Sequence, residues 1–191
     1  MAQYARAPLG ERRSSLTVPP GLPSFTGLRL HRDKALGYSF FVPLDWYALE
    51  LETATGNGAM YAPAADDPRT SFSAEGRDLG TIVNGVDLAA LEAGFLVGIR
   101  KLPRSIIESS EAEAIGRLLT MEARHTFRQG RVTQKRWVRL LYQDAVQVRL
   151  VAQGATVEQF DYWLPMFFQS MRTFQFGDWA ASLREGDAPG P

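Results

Sequence analysis

The sequence predicts a single α+β domain, an α-β-α sandwich with a central, mainly antiparallel sheet flanked by helices. Three observations support this prediction: many short segments alternate between apolar and polar residues, two segments carry apolar residues at helical spacing, and turn residues separate them. With 191 residues, of which 45% are hydrophobic, the chain can bury one substantial core, whereas two domains would each be undersized.

Composition marks the ends of the predicted domain. Residues 1–27 include four prolines and show little periodicity, which indicates an extended N-terminal arm. Residues 28–176 form the predicted domain. Residues 177–191, which end in a glycine- and proline-rich stretch, are predicted to be a C-terminal tail.

Four short segments rich in strand-forming residues open the domain. Tyr38–Pro43 ends at a proline, which cannot donate to a strand ladder, and residues 46–51 follow it. Residues 59–62 and 70–74 come after turn residues. Consecutive strands joined by short turns favour antiparallel neighbours, so these segments are predicted to form a meander.

A first amphipathic helix is predicted to begin after Asp87, a plausible N-cap, and to end before Pro103. Its apolar face consists of Leu88, Leu91, Phe95, Ile99 and Leu102. A second row, of small side chains, consists of Ala90, Gly94 and Gly98. We expect this second row to let another backbone approach the helix closely.

Four further strands are predicted after the helix: one at residues 106–112, one on each side of a tight turn at Gln129 and Gly130, and one at residues 145–152. The tight turn places one inner face at Leu119, Met121, Ala123, His125, Phe127, Val132, Gln134, Arg136, Val138 and Leu140. In this register His125 points inward opposite Gln134, and Arg124 lies opposite Lys135.

The last predicted element is a helix that Thr156 caps, with Gln159 at the position of a capping box. Its apolar face consists of Phe160, Leu164, Phe167, Phe168, Met171 and Phe174. So many aromatic side chains on one face indicate core. Pro165 removes a helical hydrogen bond, and we expect a kink there.

Two stretches of the chain resemble the PsbP-like fold superfamily. Residues 37–46, Gly-Tyr-Ser-Phe-Phe-Val-Pro-Leu-Asp-Trp, are similar to the opening strand of that family with its proline and tryptophan turn. Residues 148–151, the helix that follows and residues 170–174 are similar to its final strand, helix and ending. The resemblance covers roughly residues 28–176. It implies an α-β-α binding or assembly module, and it implies that Trp46 plugs the edge of the core.

The residues give little support to catalysis. The chain has no cysteine and only His31 and His125, which excludes thiolate chemistry and sites with several histidines. No nucleophile elbow or phosphate-binding loop occurs. We therefore expect no cofactor and no metal, and His125 is interpreted as a partly buried structural histidine.

One local asymmetry of charge stands out, because no acidic residue lies between Glu122 and Asp144. The predicted register places on one outer face the candidate partner-binding residues Arg124, Arg128, Arg131, Lys135, Trp137 and Arg139. Such a stripe suits an acidic protein surface or a phosphate backbone. The favoured alternative is that these charges protect an edge hairpin from aggregation.

The leading hypothesis is a non-enzymatic module that binds another protein through this basic hairpin or an exposed sheet face. One alternative is an Eag-like chaperone that shields hydrophobic helices of a client. Another is a small-molecule-binding or enzymatic domain with a pocket around His125, Arg136 and Trp137. Equal numbers of acidic and basic residues make nucleic acid an unfavourable partner. The polar start predicts a cytoplasmic protein without membrane insertion. We also expect a monomer or a homodimer.

Overall fold

The computed structural model describes residues 21–51 and 58–177. Within these ranges the strands are β1 (Leu28–Asp33), β2 (Tyr38–Pro43), β3 (Tyr47–Leu49), β4 (Gly58–Ala62), β5 (Ser71–Asp78), β6 (Ile106–Ile115), β7 (Leu118–Gln129), β8 (Val132–Gln143), β9 (Val146–Gly154) and β10 (Gln175–Phe176). The helices are α1 (Leu88–Arg100), preceded by a 3₁₀ turn at Gly85–Asp87, and α2 (Val157–Arg172). Most of the predicted N-terminal arm and of the predicted tail lies outside the described residues.

The central sheet has seven strands in the order β3-β4-β5-β9-β8-β7-β6, and every neighbouring pair is antiparallel. Successive side chains of a strand point to opposite faces. On one face, Leu119 and Met121 of β7 pack against α1. On the other, Trp137 and Leu150 pack against α2. This arrangement confirms the predicted α-β-α sandwich with a central antiparallel sheet.

The predicted meander is wrong at its first strand. β2 pairs with β1 and β10 in a separate sheet of three strands, and only β3, β4 and β5 form a meander. The reason lies in the turn after Pro43, where the Trp46 amide donates to the Pro43 carbonyl at 3.3 Å and the chain leaves the first sheet. Trp46 itself is buried, as the resemblance implied, with its ring 5.7 Å from that of Phe167.

Three tight hairpins join β6 to β9, and each turn holds two residues. The first residue of each turn has a positive φ: 58° at Gly116, 61° at Gly130 and 55° at Asp144. Such turns match the right-handed twist of the strands they connect. They account for the long, regular ladders at this end of the sheet.

The predicted β7–β8 register is displaced by two residues. The turn lies at Gly130 and Arg131, so His125 pairs with Arg136 and Arg124 pairs with Trp137. The expected pairs with Gln134 and Lys135 are therefore wrong. A shift of two residues keeps every side chain on its face, so the predicted inner face is confirmed.

The row of small residues on α1 does not face a neighbouring backbone. Ala90, Gly94 and Gly98 are exposed, and a Cβ added at either glycine meets nothing within 4 Å. The close approach occurs instead at Gly154, where an added Cβ lies 2.4 Å from the Phe160 amide nitrogen. The cap differs too, since Asp87 makes no side-chain cap bond to α1.

The start of α2 follows the prediction more closely. The Thr156 hydroxyl oxygen accepts from the Gln159 amide at 3.2 Å, and the helix continues through Pro165 to Arg172. Phe160, Phe167 and Met171 are fully buried against the sheet. The core assignment is therefore confirmed for these three residues, but it is wrong for Phe168, which is 46% exposed.

Candidate functional site

The β7–β8 hairpin carries the six candidate residues, and the structure divides them into two groups. The middle of the hairpin lies under α2, so the face predicted to be outermost is covered there. Trp137 is 3% exposed, with its ring 6.3 Å from that of Phe168 on α2. The Arg124 guanidinium lies 4.3 Å from the centre of the Trp137 ring, within the range of a cation–π contact.

Two cations of this group join the sheet to α2 and its surroundings. Lys135 Nζ lies 3.2 Å from Glu108 Oε2 and 3.1 Å from Asp161 Oδ1. Arg139 Nη1 donates to the Met171 carbonyl at 3.1 Å, and Arg139 Nε lies 3.5 Å from Glu122 Oε2. These partners neutralise both charges within the molecule. A role of these two side chains in partner binding stays a prediction.

The other group lies at the far end of the hairpin, where Arg131 is exposed and Arg128 is half-buried. The loop between α1 and β6 packs against this end, because the Arg128 amide donates to the Pro103 carbonyl at 2.8 Å. A cleft of about 390 Å³ lies between this loop and the end of the hairpin, and it is lined by Pro103, Arg104, Arg128 and Gly130. The hairpin turn and the loop therefore form one surface.

Two further exposed cations, Arg100 and Lys101, lie at the end of α1, shortly before Pro103 in the chain. We call the set of five cations the basic end: Arg100, Lys101, Arg104, Arg128 and Arg131. Among the described residues, no carboxylate forms an ion pair with any of the five. Arg100, Lys101, Arg104 and Arg131 are exposed to solvent, and Arg128 is half-buried.

Arg104 has an unusual backbone within the basic end. Its φ of 51° lies in the left-handed region, which costs a residue with a Cβ roughly 1–2 kcal/mol. Glycine avoids this cost. Residues with a strained backbone cluster at functional sites, so the conformation of Arg104 makes this loop a candidate for such a site.

His125 and Arg136 lie opposite each other on β7 and β8 and form a separate polar pair. His125 is 1% exposed, and neither ring nitrogen has a hydrogen-bond partner among the described residues. Burial, together with the Arg136 charge, lowers the pKa of His125 to about 4. The Arg136 guanidinium lies 4.5 Å from the centre of the Phe127 ring, and its Nε donates to Gln153 Oε1 at 2.9 Å.

The predicted pocket around His125, Arg136 and Trp137 is wrong. Trp137 follows Arg136 in β8 and points to the opposite face of the sheet, under α2. His125 does not line any of the three clefts that lie beside Trp137, Leu140 and Gly130. The neutral, enclosed imidazole does not meet the other two side chains at a common point.

The other histidine, His31, makes contacts within the fold. His31 Nδ1 lies 2.9 Å from the Tyr61 hydroxyl oxygen, and the His31 ring packs on Phe40. The parts of the chain that the structure describes contain no group of three or more potential metal-ligating side chains. In the same parts, no helix is long and apolar enough to cross a membrane.

The sheet face beyond α1 is charged. A shallow cleft of about 250 Å³ on it is lined by Glu75, Arg77, Leu140, Gln147 and Arg149. Arg149 forms an ion pair with Glu75 across β9 and β5. A chaperone that shields apolar helices needs an apolar face, and this part of the sheet does not provide one.

Comparison with solved structures shows which known fold this architecture has. The cyanobacterial PsbP protein CyanoP of Synechocystis sp. PCC 6803 superimposes with a TM-score of 0.56 and 12% sequence identity, covering 83% of this chain and 99% of that one. The chain has the PsbP-like fold. The fold that the sequence resemblance implied is therefore confirmed.

Two other solved structures match over most of their length. LpqN of Mycobacterium tuberculosis gives a TM-score of 0.54 at 13% identity, over 79% of this chain and 92% of that one. The Saccharomyces cerevisiae protein Mog1p gives 0.51 at 10% identity, over 81% and 97%. No protein-family model and no curated protein sequence matches the chain. Identities this low establish the shared fold alone.

Within the PsbP-like fold, sequence reasoning found only part of the basic end. Arg128 and Arg131 were recognised from the run of cations in the hairpin. Arg100, Lys101 and Arg104 were missed because they belong to another element. The signal available in the sequence was three cations within five residues around Pro103, without an indication of what lies next to them.

Proposed function

We propose that this chain is a non-enzymatic protein-binding or assembly module that uses the basic end to contact an acidic surface of a partner protein. The observation that carries the proposal is the set of five cations without an ion-pair partner among the described residues. In a chain whose formal net charge is zero, such a cluster is a local feature. Complementary charge of this kind gives an interface its specificity and speeds association.

The strands, the turn and the loop that carry the basic end hold its backbone in a fixed arrangement, which suits a binding surface. Arg128 lies near the end of β7 and Arg131 in the two-residue turn that joins β7 to β8, and both strands are twelve residues long. Arg104 is held near them by the hydrogen bond from the Arg128 amide to Pro103. Rigid elements fix the positions of charged groups in advance, which reduces the entropy lost on binding.

The fold neighbours add an argument by analogy. Mog1p is described as a Ran-binding protein, so at least one protein of this fold binds another protein. One fold supports many functions, and the analogy therefore supports the class of function but identifies no partner. The predicted cytoplasmic location belongs to this proposal, and imaging of a fluorescent fusion in the source cell tests it.

The test measures binding of a fluorescent glutamate-rich peptide to the full chain by anisotropy. We expect Arg104→Glu with Arg131→Glu to weaken binding at least about tenfold, because both substitutions place a carboxylate where the acidic peptide lies. The matched control, Lys34→Glu with Arg77→Glu, makes the same change in net charge at exposed cations elsewhere. It should weaken binding much less.

Two results contradict the proposal. Equal weakening by both double variants would mean that net charge, and not the basic end, determines binding. Tighter binding of a short DNA duplex than of the peptide, with a steep dependence on salt, would identify a phosphate backbone as the partner instead.

A further inference from the structure

The strand β6 ends the central sheet and has a free edge. It pairs only with β7 among the described residues, and it runs for ten residues. Ile106 and Ile115 at its two ends are 65% and 59% exposed. Long edge strands are sites at which another strand can add, unless charge, bulges or a covering segment prevents it.

The hairpin geometry shows which backbone groups are free. Ile115 and Leu118 flank a two-residue turn and therefore exchange hydrogen bonds with each other. Pairs in an antiparallel ladder alternate, so Ser110, Ala112 and Ala114 direct their N–H and C=O groups away from β7. The β-bulge between Ile107 and Ser109 ends this regular stretch. Three successive outward positions are available to a new strand.

The charge of β6 limits what can add there. Its ten residues include Glu108, Glu111 and Glu113 and no lysine or arginine. Glu108 is paired with Lys135. Neither Glu111 nor Glu113 has an ion-pair partner in the described chain, and Glu111 lies directly opposite Glu122 on β7. Like charges in that position repel.

A second copy of this chain is a poor occupant for this reason. Pairing β6 antiparallel with itself brings the acidic side chains of both copies onto one short ladder, with no base between them. A strand with basic side chains at alternate positions reverses the sign of every such contact. Charge complementarity therefore favours a basic segment over a copy.

The α2 side of β6 offers room for long side chains. A cleft of about 210 Å³ lies there, and its residues include Glu111, Glu113, Thr120, Glu122, Trp137 and Phe168. Of the cations in this cleft, Arg139 is paired with Glu122, whereas Arg124 and Arg172 contact the rings of Trp137 and Phe168 and keep their charge. The indole Nε1 of Trp137, a residue 3% exposed, has no hydrogen-bond partner among the described residues.

We propose that the free edge of β6 accepts an extended segment of a partner protein as an eighth strand, with lysine or arginine at alternate positions facing Glu111 and Glu113. Backbone hydrogen bonds to Ser110, Ala112 and Ala114 hold the segment, and the two glutamates select its charge. This surface is distinct from the basic end and does not depend on it. The two surfaces bind probes of opposite charge.

The probe is a fluorescent peptide of about nine residues in which lysine alternates with valine or threonine. Anisotropy with the full chain should show saturable binding. Glu111→Lys with Glu113→Lys should weaken it at least about tenfold, because attraction becomes repulsion. Asp45→Lys with Glu50→Lys, at exposed acids near the opposite edge of the sheet, should leave the affinity within about twofold. The same peptide with N-methyl groups on alternate residues should not bind, because it lacks the necessary donors.

Hydrogen exchange provides the second measurement. The peptide should slow exchange of the amides of Ser110, Ala112 and Ala114, which exchange fast in the free chain. Slow exchange of these amides before the peptide is added would show an edge that this chain or a second copy already occupies, and would overturn the proposal. Equal binding of the N-methylated peptide, or an unchanged affinity of the Glu111 and Glu113 double variant, would overturn it as well.

Discussion

At the scale of single residues, the buried imidazole of His125 makes stability depend on pH. Burial and Arg136 lower the pKa of His125 to about 4, whereas the unfolded chain has the ordinary value of 6.5. The unfolded state therefore binds a proton first as pH falls. The stability that the neutral ring confers is complete above pH 6.5, decreases below it, and is lost once the pH passes the folded value of about 4.

The linked loss of unfolding free energy is roughly 2 kcal/mol at pH 5 and approaches about 3 kcal/mol below pH 4. We expect His125→Phe, which cannot titrate, to remove this part of the pH dependence. Urea unfolding of wild type and variant at pH 7.5 and pH 5 measures the difference directly. The same decrease in both proteins would mean that His125 is not enclosed in the folded state.

At the scale of elements, two glycines provide a matched pair. Gly154 ends β9 against the backbone of α2, and an added Cβ there lies 2.4 Å from the Phe160 nitrogen. We expect Gly154→Ala to lower the unfolding free energy by about 1–3 kcal/mol, because the helix backbone must move. Gly94→Ala on the open face of α1 should raise it by about 0.5–1 kcal/mol, because alanine favours helix. Thermal and denaturant unfolding of the two variants should give opposite signs, and a stable Gly154→Ala protein would contradict the close approach.

The strands of this fold differ in how well the sequence pattern predicts them. Long alternating strands such as β7 and β9 were predicted because their period is local and a two-residue turn preserves it. The strand β1 was missed, since Arg29, His31 and Arg32 interrupt its apolar pattern. β10 was missed because two residues carry no period. Both strands form their ladders with β2, which follows β1 directly but is distant from β10 in the sequence.

At the scale of the whole molecule, the fold was predictable and the surface was not. Alternation in β8 assigns Lys135, Trp137 and Arg139 to one face but does not show that α2 covers that face. The basic end likewise depends on a loop and a hairpin, in which Arg104 and Arg128 are 24 residues apart. Which charges remain unpaired is decided by packing between elements, and periodicity contains no information on it.

The arrangement of charge leads to a last prediction, on attraction between copies. The chain has a formal net charge of zero, yet five cations gather at the basic end while Glu111 and Glu113 face solvent on β6. Surfaces of opposite sign on neutral molecules attract when screening is weak, and the Debye length is about 30 Å at 0.01 M salt but about 8 Å at 0.15 M. Light scattering should therefore show attraction near pH 6.8, the sequence isoelectric point, in low salt and its loss at physiological salt.

Arg104→Glu with Arg131→Glu should abolish the attraction more completely than Lys34→Glu with Arg77→Glu, although both double variants carry the same net charge. Equal behaviour of the two variants would assign the effect to net charge and contradict a role for the basic end.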